Sequence, residues 1–167
     1  MLKPQDVVIL LKVHCWQGDW TYEQLALSLK TSTSVVYESL KRCEVSRLYH
    51  RNHRQVMREA LLEFLVHGVK YVFPATVGNL KRGIPTAHSA ELLKSLLVVS
   101  EPMPYVWAFS RGKVKGQEIK PLYKQLPEII GNDRRFYELV CLVDALRIGK
   151  VREQELAITV LKERLYG

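Results

Sequence analysis

Apolar side chains recur at helical spacing along both ends of this chain. From Lys3 to Cys15 they stand at Val7, Val8, Leu10, Leu11 and Cys15, and Pro4 suits a first turn. Gln17, Gly18 and Asp19 interrupt that stripe. Thr21, with Gln24 three residues later, forms the pattern of a capping box and opens a second helix whose buried face is Leu25, Ala26 and Leu29. Lys30 and Thr31 make a turn. Ser32 is a good N-cap for a third helix, Thr33 to about Glu44, with Val35, Val36, Leu40 and Cys43 inward.

A short strand is expected over Arg47 to Tyr49, then a basic break over His50 to His53. A long helix follows from about Arg54 to His67, closed by Gly68. Val69 to Phe73 is rich in β-branched and aromatic residues and predicts a strand stopped by Pro74. The segment from Ala75 to Leu126 carries Gly78, Gly83, Pro85, Pro102, Pro104, Gly112, Gly116 and Pro121 and reads as loop-rich, with short strands at Tyr105 to Phe109 and Val114 to Ile119. Asp133 then caps a helix running to Ile148. Gly149 breaks it, and Arg152 to Tyr166 completes a helical hairpin.

The fold class expected is mostly α with minor β (α+β). A winged-helix-like domain spans residues 1–53. Residues 54–167 hold a linking helix, a loop-rich β segment and the hairpin. Phe136, Leu139, Val140, Val143, Leu156, Val160 and Leu161 form an apolar stripe across that hairpin, a possible dimer surface.

Charge sharpens the picture. The formal net charge is +8 and the isoelectric point about 9.5, which favours an anionic partner. From Lys41 to Arg58 there are six Lys or Arg against one Glu. A second basic region, Lys81 to Lys124, has eight against three Glu. The first cluster follows directly on the third helix. There Ser32, Thr33 and Ser34 offer short hydroxyls and outward N–H groups at the positive end of a helix dipole. Thr33, Ser34, Tyr37, Glu38 and Lys41 share one helical face. Tyr37 suits a base or phosphate, and Lys41 and Arg42 suit phosphates.

The ordered set Leu25, Ala26, Leu29, Ser32, Ser34, Val35, Leu40, Lys41, Arg42 and Leu48 resembles the winged helix-turn-helix of bacterial MarR-type and ArsR-type transcription regulators over about a third of the chain. The stretch GVKYVFPATVGNLKRGIPTAH is similar to the tail of uncharacterised bacterial regulators. The resemblance implies sequence-specific binding of double-stranded DNA by a homodimer; a cytoplasmic location is expected from the cysteine usage and the lack of a signal-peptide or membrane-span pattern. The resemblance places Ser32, Thr33, Ser34, Tyr37, Lys41, Arg42, Arg47, Arg51 and Arg54 at the DNA. Only HRNHR separates Tyr49 from the expected next helix, too short for a full wing, so Arg47, His50, Arg51, His53 and Arg54 are expected to form a basic loop on the phosphates instead. The competing class is a protein-interaction adaptor, for example an antitoxin-like partner.

Other chemistry is thinly represented. His50 and His53 have an HxxH spacing without two further ligands beside them. No Ser sits in a nucleophile elbow, and GNLKRG lacks the ending of a phosphate-binding loop and reads as an exposed basic loop. Glu128, Asp133, Glu138 and Asp144 read as solvated helix faces, with Asp144 and Arg147 a surface pair. Neither a catalytic site, a metal nor a cofactor is expected. Cys15, Cys43 and Cys141 read as small buried hydrophobes of a reducing compartment. Asp6 interrupts what would be the apolar core of a signal peptide, and no apolar run reaches the ~18 residues of a membrane span.

Overall fold

The structure is a computed structural model that describes residues 1–97 and 103–167. It is mostly helical with small sheets, an α+β fold. The first half runs α1 (Pro4–Cys15), α2 (Tyr22–Ser28), α3 (Thr33–Val45), β1 (Tyr49–His50), β2 (Gln55–Val56), α4 (Arg58–His67) and α5 (Val69–Val72). The second runs β3 (Val77–Thr86), a single 3-10 turn, α6 (Glu91–Leu96), β4 (Tyr105–Ala108), β5 (Val114–Ile119), α7 (Leu126–Ile129), α8 (Arg134–Ile148) and α9 (Val151–Tyr166). Pro102, part of the segment read as loop, lies outside the described residues.

Local signals place the helix starts. Thr21 accepts from the Gln24 amide while Gln24 receives the Thr21 amide, both at 3.0 Å. Ser32 accepts from the Val35 amide and Asp133 from the Phe136 amide, each at 3.3 Å. Helices α2 and α3 both end in a Schellman turn, with the Thr31 amide on the Ala26 carbonyl and the Leu48 amide on the Cys43 carbonyl. The left-handed residue of each turn is Lys30 (φ 53°) and Arg47 (φ 61°), not the usual glycine.

Helix α1 is the centre of the molecule. Every residue from Asp6 to Val13 is buried, as expected of a helix with neighbours on all sides. One continuous cluster of buried apolar side chains runs from Val7 to Leu165, so the boundary expected at residue 53 does not separate two cores. The apolar stripe of the α8–α9 hairpin belongs to this cluster. Phe136, Leu139, Val140, Val143 and Leu161 are fully buried within the chain, so the stripe is internal core rather than a free face.

Buried carboxylates tie the layers together. Asp144, expected on a helix surface, is fully buried. It accepts from Thr86 Oγ1 (2.6 Å), Trp107 Nε1 (2.8 Å) and Arg147 Nη1 (2.8 Å), and so joins α8 to β3 and β4. Lys12 on α1 reaches Asp133 at 2.6 Å and lies over the Phe136 ring.

Three expectations for local structure are overturned. Val69–Val72 is helical, not a strand: Val69 is drawn into the core and the Phe73 ring packs edge-on against Phe64. The helix expected from Arg54 starts at Arg58, because Gln55 and Val56 pair with His50 and Tyr49 in a small antiparallel hairpin. The GNLKRG segment is strand, not loop. β3 pairs along its first half with β5 and along its second with β4, while β4 and β5 pair in parallel at Tyr105 with Gln117. Winding three strands this tightly needs glycine at the crossings. A Cβ on Gly83 would meet the Trp107 carbonyl oxygen at 1.9 Å, and one on Gly116 the Pro104 oxygen at 2.5 Å.

Candidate nucleic-acid interface

Helix α3 is amphipathic with a sharp division. Val36, Ser39, Leu40 and Cys43 are buried against α1 and α2. Ser32, Thr33, Ser34, Tyr37, Glu38 and Lys41 are exposed together on the opposite side. The five of these expected to touch an anionic ligand are therefore brought onto one surface, and Lys41 has no ion-pair partner among the described residues. Ser32 and Ser34 sit with their hydroxyl oxygens 3.1 Å apart at the first turn.

The β1–β2 hairpin lies beside this face. Its loop carries Arg51, which donates to the Tyr37 hydroxyl at 3.3 Å and places its guanidinium 5.6 Å from the Tyr37 ring centre. Arg51 is thus added to the α3 surface. His50, at the end of β1, and His53 of the loop bring their rings to 4.3 Å, tilted by 52°. A basic loop was expected here; it is held between two paired strands of two residues each. Tyr49, at its base, is buried, and burial pushes its phenol up to about 12, so it stays neutral beneath the cations.

Two residues expected at the ligand are committed elsewhere. Arg42 points back into the protein, donating from Nε (2.9 Å) and Nη2 (2.8 Å) to the fully buried carboxylate of Asp6, which also accepts from Ser39 Oγ at 2.5 Å. That bidentate bond holds the Arg42 pKa above its usual value. The pairing fastens α3 to α1 and removes Arg42 from the phosphate-binding set. Arg54 donates to the Trp20 carbonyl oxygen at 2.6 Å and stacks 4.0 Å from the Trp20 ring centre. With Tyr22 edge-on to both Trp20 and Tyr37, it clasps the hairpin to the start of α2. Arg47 stays exposed at the end of α3, its backbone left-handed.

One residue of this region carried no signal in the sequence. Tyr123, just after β5, donates from its hydroxyl to the Leu29 carbonyl oxygen at 2.5 Å, and its hydroxyl also meets Thr31. It therefore braces the turn between α2 and α3 from the far half of the chain.

Elsewhere the titratable groups are dispersed. Among the described residues no group of three or more His, Cys, Asp or Glu comes together as a metal site would require. Among them too, no helix is long and apolar enough to cross a membrane. Burial raises the thiols of Cys43 and Cys141, and that of Cys15 to about 11, which suppresses thiolate chemistry at neutral pH. No protein-family model, curated protein or solved structure matches the chain, so the geometry around α3 carries the functional argument.

Proposed function

We propose that this protein is a small bacterial transcription regulator that binds double-stranded DNA by laying α3 in the major groove. The observation that carries the reading is the undivided polar face of α3. Thr33, Ser34, Tyr37 and Lys41 stand exposed, Arg51 of the hairpin is delivered against Tyr37, and the other side of the helix is buried. Short hydroxyls and the tyrosine suit base edges, and the cations suit phosphates. Helices α1 and α2 supply a rigid seat, with Asp6 locking the register of α3. Each chain carries one such helix. Operators read by this arrangement have two half-sites ~34–36 Å apart, so the functional unit is a homodimer in the cytoplasm.

A second reading, a protein-interaction adaptor or antitoxin-like partner, draws on two exposed apolar side chains of the same region. Leu27 on α2 is 81% exposed and Val45 on α3 is 77% exposed. Binding to the duplex upstream of the protein's own gene, measured against salt, separates the two. For a DNA binder, Lys41→Ala and Arg51→Ala should each flatten the slope of log affinity against log salt by about one unit. Weak, slope-independent binding by all forms would leave the adaptor reading.

A further inference from the structure

We infer that a second phosphate-binding surface, formed by Arg82, Arg111, Lys113, Lys115 and Lys124, continues the α3 surface and takes the backbone of the same duplex. This rests on the DNA-binding reading above and extends its footprint.

The surface begins with the β3–β5 ribbon. The first six residues of β3, Val77 to Arg82, are all exposed, and they pair with β5 alone. In this ribbon Arg82 lies directly opposite Lys115 in register, and both side chains are exposed. Like charges at directly opposed positions destabilise a strand pair. Among the described residues neither has an acidic partner to offset that cost. A bound anion placed between the two would remove that cost.

The ribbon is not remote from α3. Five residues of turn precede β5 and carry Arg111 and Lys113, both exposed. Arg111 lines a cleft of about 410 Å³ together with Lys124 and Glu128. Lys124 follows Tyr123, whose hydroxyl is bonded to Leu29 in the turn that leads into Ser32 and α3. The Tyr123 bond therefore ties the α2–α3 turn to the segment that carries Lys124, and Lys124 and Arg111 share the cleft at the turn that leads into the ribbon. The acids near this path are Glu128 in the cleft and Glu118 on β5, two against five cations.

A duplex backbone fits this better than an acidic peptide or an anionic membrane. Arg82, Lys113 and Lys115 are strung along the ribbon and the turn before β5, while Arg111 and Lys124 line the open cleft next to that turn, an extended spread rather than one compact pocket. Evenly spaced phosphates match that layout without any sequence readout.

The test uses the full chain and a 30-base-pair mixed-sequence duplex, with affinity followed by fluorescence anisotropy across a salt series. The triple variant Arg82→Gln, Lys115→Gln, Lys124→Gln should flatten the salt slope by about two to three units, with the thermal midpoint unchanged. The charge-conserving variant Arg82→Lys, Lys115→Arg, Lys124→Arg should keep the wild-type slope and guards against a folding artefact. The double variant Lys41→Gln, Arg51→Gln should flatten the slope separately and additively. An unchanged slope in the triple variant, with a flatter one in the double, overturns the second surface and leaves α3 in place. The reverse pattern supports the ribbon and overturns α3 as the reading element. Absence of duplex binding by the wild-type protein overturns both. A triple variant that loses only its binding to phosphatidylserine vesicles reassigns the patch to membranes and overturns the inference.

Discussion

The hydroxyl of Tyr123 is hydrogen-bonded at 2.5 Å to the carbonyl oxygen of Leu29, 94 residues earlier in the chain. Leu29 is the C-cap of α2, where the last carbonyls of a helix have no partner within it. The bond thus satisfies an orphan acceptor and fixes the α2–α3 turn to the segment after β5. Tyr123→Phe should cost about 1 kcal/mol, a fall of roughly 2–4 °C in thermal midpoint for a chain of this size. It should also weaken duplex binding well below that midpoint, because the turn that aims α3 is loosened. Full affinity in a destabilised variant would show that the bond supports the fold alone.

Arg42 provides a sharp contrast with Lys41. Removing Arg42 strands the fully buried Asp6 carboxylate with Ser39 and the Lys3 amide as its remaining donors. Breaking a buried pair this way costs about 3–5 kcal/mol, so Arg42→Ala should be strongly destabilised in urea titrations. The fraction that stays folded in the cold should keep the wild-type salt slope. A stable variant with a slope flatter by about one unit would return Arg42 to the phosphates.

Specificity should reside in the exposed first turns of α3. Ser34→Ala or Tyr37→Ala should reduce discrimination between operator and random duplex by roughly 1–3 kcal/mol per lost base contact. Ser34 is exposed, so its thermal midpoint should barely move, whereas Tyr37→Ala also gives up the edge contact with Tyr22 and the bond from Arg51 and should lower it slightly. Competition binding against random duplex measures the first quantity and calorimetry the second. Equal discrimination in both variants would take α3 out of the groove.

The α8–α9 hairpin should be indispensable to folding rather than to association. Truncation after Gly131 removes Phe136, Leu139, Val140, Val143 and Leu161 from the core. The truncated chain should show no cooperative thermal transition by circular dichroism. A soluble, cooperatively melting product would mean that the remaining helices hold a core of their own.

His14 should make stability depend on mildly acidic pH. Its Nε2 is buried without a hydrogen-bond partner, and burial lowers its pKa from 6.5. The unfolded chain therefore takes up a proton before the folded one does. The stability carried by neutral His14 is complete above pH 6.5 and is lost as the pH falls below it. Between pH 7.5 and 5.5 the wild-type midpoint should fall further than that of His14→Asn, which cannot charge. Parallel curves for the two proteins would remove His14 from the pH response.

What the sequence determined by itself is the part of the protein whose interactions span three or four residues. The Thr21–Gln24 box, the Ser32 and Asp133 caps and the stripes of α3 and α8 depend on neighbours along one helix, and their periodicity and capping residues are written in order. The exposed face of α3 follows from the same phase. Tertiary structure decided what depends on distant partners. Asp6 sits 36 residues from Arg42, and nothing local shows that a buried carboxylate waits for that arginine. Val69 to Val72 has strand propensity, but packing of Val69 and Phe73 against α4 and α8 outweighs it. β3 contains Gly83 and Pro85 and looks like loop until β4 and β5, distant along the chain, pair with it. Lys30 and Arg47 end their helices without glycine, because the Schellman hydrogen bonds and the packing beyond them outweigh a left-handed backbone cost of about 1 kcal/mol each. Helical hydrogen bonds close within one turn, whereas buried ion pairs and sheet ladders form only when the whole chain has folded.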